Sequence, residues 1–234
     1  MILCIETATD ICSVALCRNN EVSFLRESEQ GRSHASLLTV FIQELLTANN
    51  IDAGTLDAVA VSKGPGSYTG LRIGVSVAKG IAYGASIPLI GIETGLSMFH
   101  GFRDYAKGKY TFVPGDLFCP LLDARRMEVY SIVFAWDGKI VRQTRAEIIN
   151  NESFREFPAS SRIFLFGDGA GKCRDVLKRD NVIIETGYRI SASSLCRPAS
   201  EAYSGHLFED VAYFEPFYLK DFLTSKPVKN ILGK

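Results

Sequence analysis

The sequence predicts an α/β protein, and three observations predict it. Strand-like and helix-like segments follow one another in the order β-β-β-α-β-α-β over roughly the first hundred residues. A glycine- and proline-rich turn at 63–70 runs directly from a strand into a helix. A polar, glycine-containing stretch, GFRDYAKGKYTFVPGD at 101–116, then separates two halves that share a loose pattern of hairpin strands and a glycine turn. The expectation is two subdomains, 1–105 and 106–234, each a mixed sheet with flanking helices.

The elements can be justified in order. ILCIE at 2–6 is apolar, TATD breaks the run, and ICSVALCR resumes it. Asn19-Asn20 supplies a tight turn tolerant of left-handed backbone, and EVSFLRESE reads as an outer strand. Leu37, Leu38, Phe41, Leu45 and Leu46 recur at helical spacing, predicting a helix at about 34–48 with Ser33 as a candidate cap. DAVAVS at 57–62 is a short strand, and a small-residue helix follows at about 70–83 with Gly74, Ser76, Ala78, Gly80 and Ala82. Glycine inside a helix costs about 1 kcal/mol against alanine, so close approach to a neighbour is the expected compensation. IPLIGIET closes the first half as a strand. In the second half the order is strand, charged turn at DARRMEVY, strand, Asp137-Gly138 turn, strand. RIFLFGDGAGKCRDVL reads as strand, glycine turn and helix, and a further helix is broken or started by Pro198.

Composition narrows the function classes. Apolar residues make up 47% of 234, which excludes a disordered or fibrous chain. Lysine plus arginine equals aspartate plus glutamate at 26 each, so no global pull toward nucleic acid exists, although a local patch is compatible. The six cysteines, at 4, 12, 17, 119, 173 and 196, form no CxxC pair; Cys4 and Cys12 sit in apolar runs and read as buried free thiols, and although an even count allows disulfides, the spacing points to a reducing compartment. The opening MILCIETAT lacks a basic, long apolar leader, and no run reaches 18 apolar residues, so neither a signal peptide nor a membrane span is expected. The cytoplasm is the expected location.

Several segments carry candidate chemistry, each beside a plainer reading. KGPGSYTGLRIG at 63–74 can aim backbone N–H groups at an anion, with Gly64 and Gly66 as candidates, or can simply pack closely. It matches neither GxxxxGK[ST] nor a first-unit GxGxxG. Glu6 and Asp10 flank a turn where a carboxylate can hold a cation, though a solvated hairpin turn is the commoner outcome. FGDGAGK offers Gly167 and Gly169 as candidates over a phosphate or adenosine, or as a plain turn. Arg125 and Arg126 can meet phosphate, or can be a charged strand-to-strand turn. His34, His100 and His206 are scattered and form no metal-ligand pair.

Taken together, ILCIETAT with CSVAL, the H-x-x-L-L start within 34–39, DAVAVSKGPGSYTGLRIGVSVAKGIA, DARRMEVY, GDGAGK and EPFYLKDF resemble the TsaB (YeaZ) family from end to end. The resemblance implies an actin-like (ASKHA, ribonuclease H-like) fold and a non-catalytic subunit of tRNA threonylcarbamoyladenosine synthesis. It implies partnership with the transferase TsaD and the ATPase TsaE, self-association as a homodimer, contact with tRNA only through the complex, and no cofactor or metal. Where catalytic relatives carry a metal-binding histidine pair, this sequence has Thr94 and Met98. The resemblance places the partner contact on helices 34–48 and 70–83. From periodicity its expected residues are His34, Leu37, Leu38, Phe41, Leu45, Leu71, Arg72, Val75 and Lys79. A metallopeptidase or small-molecule kinase of the same fold is the competing expectation.

Overall fold

The computed structural model describes residues 1–28 and 34–219. The first half follows the predicted order. Strands β1 (Ile2–Glu6), β2 (Cys12–Arg18) and β3 (Glu21–Ser28) form an antiparallel meander. Asn19 and Asn20, both at positive φ, make the turn between β2 and β3. Helix α1 (His34–Ala48), β4 (Ala58–Gly64), α2 (Tyr68–Ala85) and β5 (Leu89–Glu93) follow, with β4 parallel to β1 and β5 parallel to β4. The sheet order is β3-β2-β1-β4-β5. Ser33, the candidate cap of α1, lies outside the described residues. Ser67 caps α2, its hydroxyl accepting the N–H of Gly70 at 3.3 Å, and Ser86 ends it in the left-handed conformation.

The second half repeats the topology. Strands β6 (Leu117–Asp123), β7 (Glu128–Ala135) and β8 (Ile140–Ile148) are antiparallel, while β9 (Ile163–Phe166) and β10 (Val182–Glu185) add in parallel beside β6. The order β10-β9-β6-β7-β8 is the mirror listing of the first sheet, one meander plus two parallel strands on either side of a central strand. Two such mixed sheets flanked by helices constitute the actin-like arrangement.

Two local expectations are corrected. Helix α3 (Thr94–Tyr105) follows β5 without a break, where a strand leading into a polar boundary was expected. Gly95 and Gly101 mask its periodicity. They permit close approach to Ile132 and to the Tyr188 and Ser194 hydroxyls. The helix expected after FGDGAGK is only a 3-10 turn, Ala170–Cys173. Between 174 and 181 only Val176 and Leu177 are apolar, too few for a buried stripe. Helix α4 (Cys196–Ser204) has Pro198 in its first turn, where the missing N–H has no cost.

Each sheet has two packed faces. Leu3, Ile5, Val14, Leu16, Val59 and Val61 face α1 and α2. Cys4, Ala15, Cys17, Ala58, Ala60 and Ile90 face α4 and the 3-10 turn Ala192–Leu195, so the chain returns from the second half to cover the first sheet. Glu209 then bridges to Leu89 and covers the β5 edge. In the second half, α3 lays Phe99 and Phe102 on a phenylalanine layer. Phe102 stacks on Phe166 at 3.9 Å, and Phe118 stacks on Phe164 at 5.4 Å. Cys17 and Cys196 form a disulfide with Cα atoms 5.4 Å apart, tying β2 to α4, whereas Cys4, Cys12, Cys119 and Cys173 are buried free thiols. Cys4 and Cys12 are thus the free thiols expected, and the disulfide that the even count allows, against the reading of a reducing compartment, is made by Cys17 and Cys196.

Candidate functional site

The β1–β2 turn, the start of α3, the loop after β9 and the segment 186–190 enclose a polar cleft of about 210 Å³, lined by Thr9, Asp10, Met98, Gly167, Asp168, Gly171 and Arg189 among others. Glu6 is fully buried at the end of β1. Its carboxylate accepts the Ala8 N–H at 2.7 Å and the Ser62 hydroxyl. Burial pushes its pKa up to about 7 in spite of those two bonds, which favour the charged form. Asp168 accepts the Asp123 N–H at 3.1 Å, and burial raises it to about 6. Of these two raised carboxyls Asp168 lines the cleft and Glu6 lies in the core, where the Asp168 charge adds to its upward shift, while Asp10 lines the cleft and is exposed. Sequence patterns single out Glu6 and the neighbouring glycines but not Asp168 or Ser62. A carboxylate set between two glycines at a strand end was the available signal.

The glycine turns divide between packing and cleft. A Cβ on Gly64 would stand 2.5 Å from the Phe217 carbonyl, and one on Gly66 would stand 2.5 Å from the Ala8 carbonyl. Ser67 N–H donates to that Ala8 carbonyl at 2.7 Å, and the Thr7 hydroxyl donates to the Gly70 carbonyl at 2.8 Å. A side chain at either position would therefore meet the protein's own backbone. Gly167, at φ +107, and Asp168 border the cleft, while Gly169 is held against Leu121, whose carbonyl accepts its N–H at 3.0 Å.

Thr94 and Met98 sit one helical turn apart on α3. Met98 lines the cleft, and the Thr94 hydroxyl is buried without a hydrogen-bond partner. A hydroxyl and a thioether make a poor pair for a divalent catalytic ion. Among the described residues, the one group of three potential metal ligands is Cys4, Cys17 and Cys196 in the core. His34 is buried, with Nε2 3.1 Å from the Ile11 carbonyl, and so anchors α1 to the β1–β2 turn. His100 is held below its usual pKa by burial.

The α1–α2 face carries an open, almost wholly apolar groove of about 350 Å³ lined by Thr39, Ile42, Gln43, Leu46, Thr47, Val77 and Ile81. The predicted interface set divides here. His34, Leu38, Leu45, Leu71 and Val75 are buried, the four aliphatic ones against the sheet or beside it. Leu37 and Phe41 are half-buried, and Arg72 is exposed, stacked on Tyr68 with its guanidinium carbon 5.4 Å from the ring centroid. Lys79 donates to the Ala212 and Phe214 carbonyls at 3.2 and 2.9 Å, pinning the C-terminal segment along α2. The apolar periodicity of both helices marks the stripe that faces the sheet. The outward stripe is displaced by about one residue, to 39, 43, 46–47, 77 and 81.

Comparison with known proteins fits this geometry. The profile of the family described as TsaD, tRNA N6-adenosine threonylcarbamoyltransferase, matches residues 27–158. The chain is 29% identical over 228 residues to the tRNA threonylcarbamoyladenosine biosynthesis protein TsaB of Escherichia coli K12, covering 94% of both chains. It is 33% identical over 129 residues to the protein of the same name from Haemophilus influenzae, covering 55% of this chain and 51% of that one. In fold it is similar to YeaZ from Pseudomonas aeruginosa, with a TM-score of 0.79 at 22% identity, over 93% of this chain and 99% of that one. Among the described residues no helix is long and apolar enough to cross a membrane.

Proposed function

The chain belongs to the tRNA N6-adenosine threonylcarbamoyltransferase family, in its TsaB branch, and we propose that it serves tRNA threonylcarbamoyladenosine synthesis as a non-catalytic subunit. The similarity to TsaB over 94% of both chains carries this reading. The chemistry of the cleft supports it. Thr94 and Met98 stand where the catalytic relatives' histidine pair is expected, and Gly64 and Gly66 are packed against the protein's own backbone.

The subunit acts by shape. The outward groove between α1 and α2 receives the transferase TsaD, and the ATPase TsaE joins that pair in the cytoplasm. Leu46, Val77 and Ile81 supply the apolar contact, with Thr39, Gln43 and Thr47 as its polar rim. A second copy of this chain can take the same groove when the transferase is absent, so homodimer and heterodimer are alternatives. The test is gel filtration of this chain with the same organism's TsaD. The wild type is expected to elute as a pair, and Thr47→Arg or Ile81→Asp to elute as separate chains. A pair that forms equally well with both variants contradicts this placement of the interface.

A further inference from the structure

Beside the polar cleft the fold places arginines that enter no ion pair among the described residues. The β6–β7 turn places Arg125 and Arg126 in succession at positive φ, 71° and 51°, with both side chains exposed. The turn is held shut: Arg125 N–H donates to Asp123 Oδ1 at 2.5 Å, and Glu128 N–H donates to the Arg125 carbonyl at 3.1 Å. Lys172 pins it to the loop after β9, donating to Asp123 Oδ1 at 2.6 Å and to the Glu128 carbonyl at 3.1 Å. Asp123 N–H in turn donates to Asp168 in the cleft. Arg174 donates to the Thr186 hydroxyl at 3.1 Å, and Thr186 and Arg189 line the same cleft.

The turn that carries Arg125 and Arg126 is thus tied through Asp123 to Asp168, which lines the cleft, and Arg189 lines the same cleft. The acids there are Asp10, Asp123 and Asp168, with Glu128 at the foot of the turn. Asp123 is matched by Lys172. Among the described residues, Arg125, Arg126 and Arg189 enter no ion pair. In a chain with 26 basic and 26 acidic residues, this is a local surplus and not a reflection of the total. A guanidinium held on a closed turn, hydrated and without a carboxylate, is suited to bidentate contact with phosphate oxygens.

We propose that Arg125, Arg126 and Arg189 meet the phosphate backbone of tRNA. The proposal rests on the tRNA-modifying role proposed above and adds the surface by which this subunit touches the RNA. Such contacts carry no base sequence. They set the position of the RNA across the pair while specificity lies elsewhere. None of the three arginines lines the α1–α2 groove, so the RNA contact leaves the partner-binding face free.

The test is fluorescence anisotropy of labelled tRNA with the purified pair, from about 50 to 300 mM salt. The triple variant Arg125→Gln, Arg126→Gln, Arg189→Gln is expected to weaken binding at low salt at least tenfold. It is expected to flatten the slope of log affinity against log salt by about 2 units, near 0.7–0.9 for each phosphate contact. Arg126→Gln and Arg189→Gln alone, the smaller perturbations of fold, are each expected to remove just under one unit. Pair formation in gel filtration should not change. Wild-type affinity and slope in the variants overturn the arginine contact and leave the subunit reading intact. A wild-type pair that binds no tRNA overturns both. Displacement of the tRNA by micromolar inorganic triphosphate would assign these arginines to a small phosphate ligand and overturn the RNA assignment.

Discussion

Glu6 shows what a single residue contributes. It ends β1, sits fully buried, and reaches a pKa of about 7 because burial outweighs the bonds from Ala8 and Ser62. Its unfolded value is near 4.5. Between these values the native chain holds a proton that the unfolded chain has lost, so this group's contribution is full below pH 4.5 and disappears as the pH rises through 7. The loss is on the order of 3 kcal/mol. Glu6→Gln should flatten the fall in urea-unfolding stability between pH 5 and 8. An unchanged pH profile in that variant would show that Glu6 titrates normally. The sequence exposes Glu6 as a carboxylate at a strand end, but its burial depends on Ser62, 56 positions away. Arg125 and Arg126 were legible as a charged turn. Their freedom from acids was not, since it depends on Lys172 taking Asp123.

At the scale of the element, the strands and helices of the first half could be read because each has one clean local pattern. Short apolar runs broken by turn residues give β1 and β2, and a 3.6-residue stripe gives α1. Helix α3 hides its stripe behind Gly95 and Gly101, and the 3-10 turn at Ala170–Cys173 follows too few apolar residues to be helical. Assigning faces is harder than assigning elements. The outward positions 39, 43 and 47 of α1 are Thr, Gln and Thr, so no apolar period marks them, and only the packed sheet shows which face remains open. Two substitutions on α2 separate them. Val75→Asp places a carboxylate in the core and should cost more than about 3 kcal/mol. Ile81→Asp lies on the half-buried groove edge and should cost about 1 kcal/mol or less while abolishing pairing. Thermal melts of the two chains check this. Equal destabilisation would contradict the assignment of faces.

The whole molecule is a repeated topology closed by a returning chain. The duplication was visible only as a loose recurrence of hairpin and glycine turn, since the two sheets share order and direction rather than residues. The return of 192–214 onto the first sheet was not legible, because α4 is short and its buried face is made of alanines and Cys196. The Cys17–Cys196 bond closes that return across 179 residues. By the chain-entropy argument, a loop of that length stabilises the fold by up to about 5 kcal/mol. Peptide mapping without reductant should recover the linked pair, and reduction should lower the melting temperature of the wild type but not of Cys17→Ala. Six alkylatable thiols in the unreduced chain would contradict this.

The central claim is that this chain enables threonylcarbamoyl transfer without performing it. The most direct measurement is transfer of the threonylcarbamoyl group to unmodified tRNA by TsaD and TsaE, with and without this chain, alongside the chain alone. The account predicts modification only when the three proteins are together, and none from this chain by itself. Modification by the chain alone, or at full rate without it, would contradict the account.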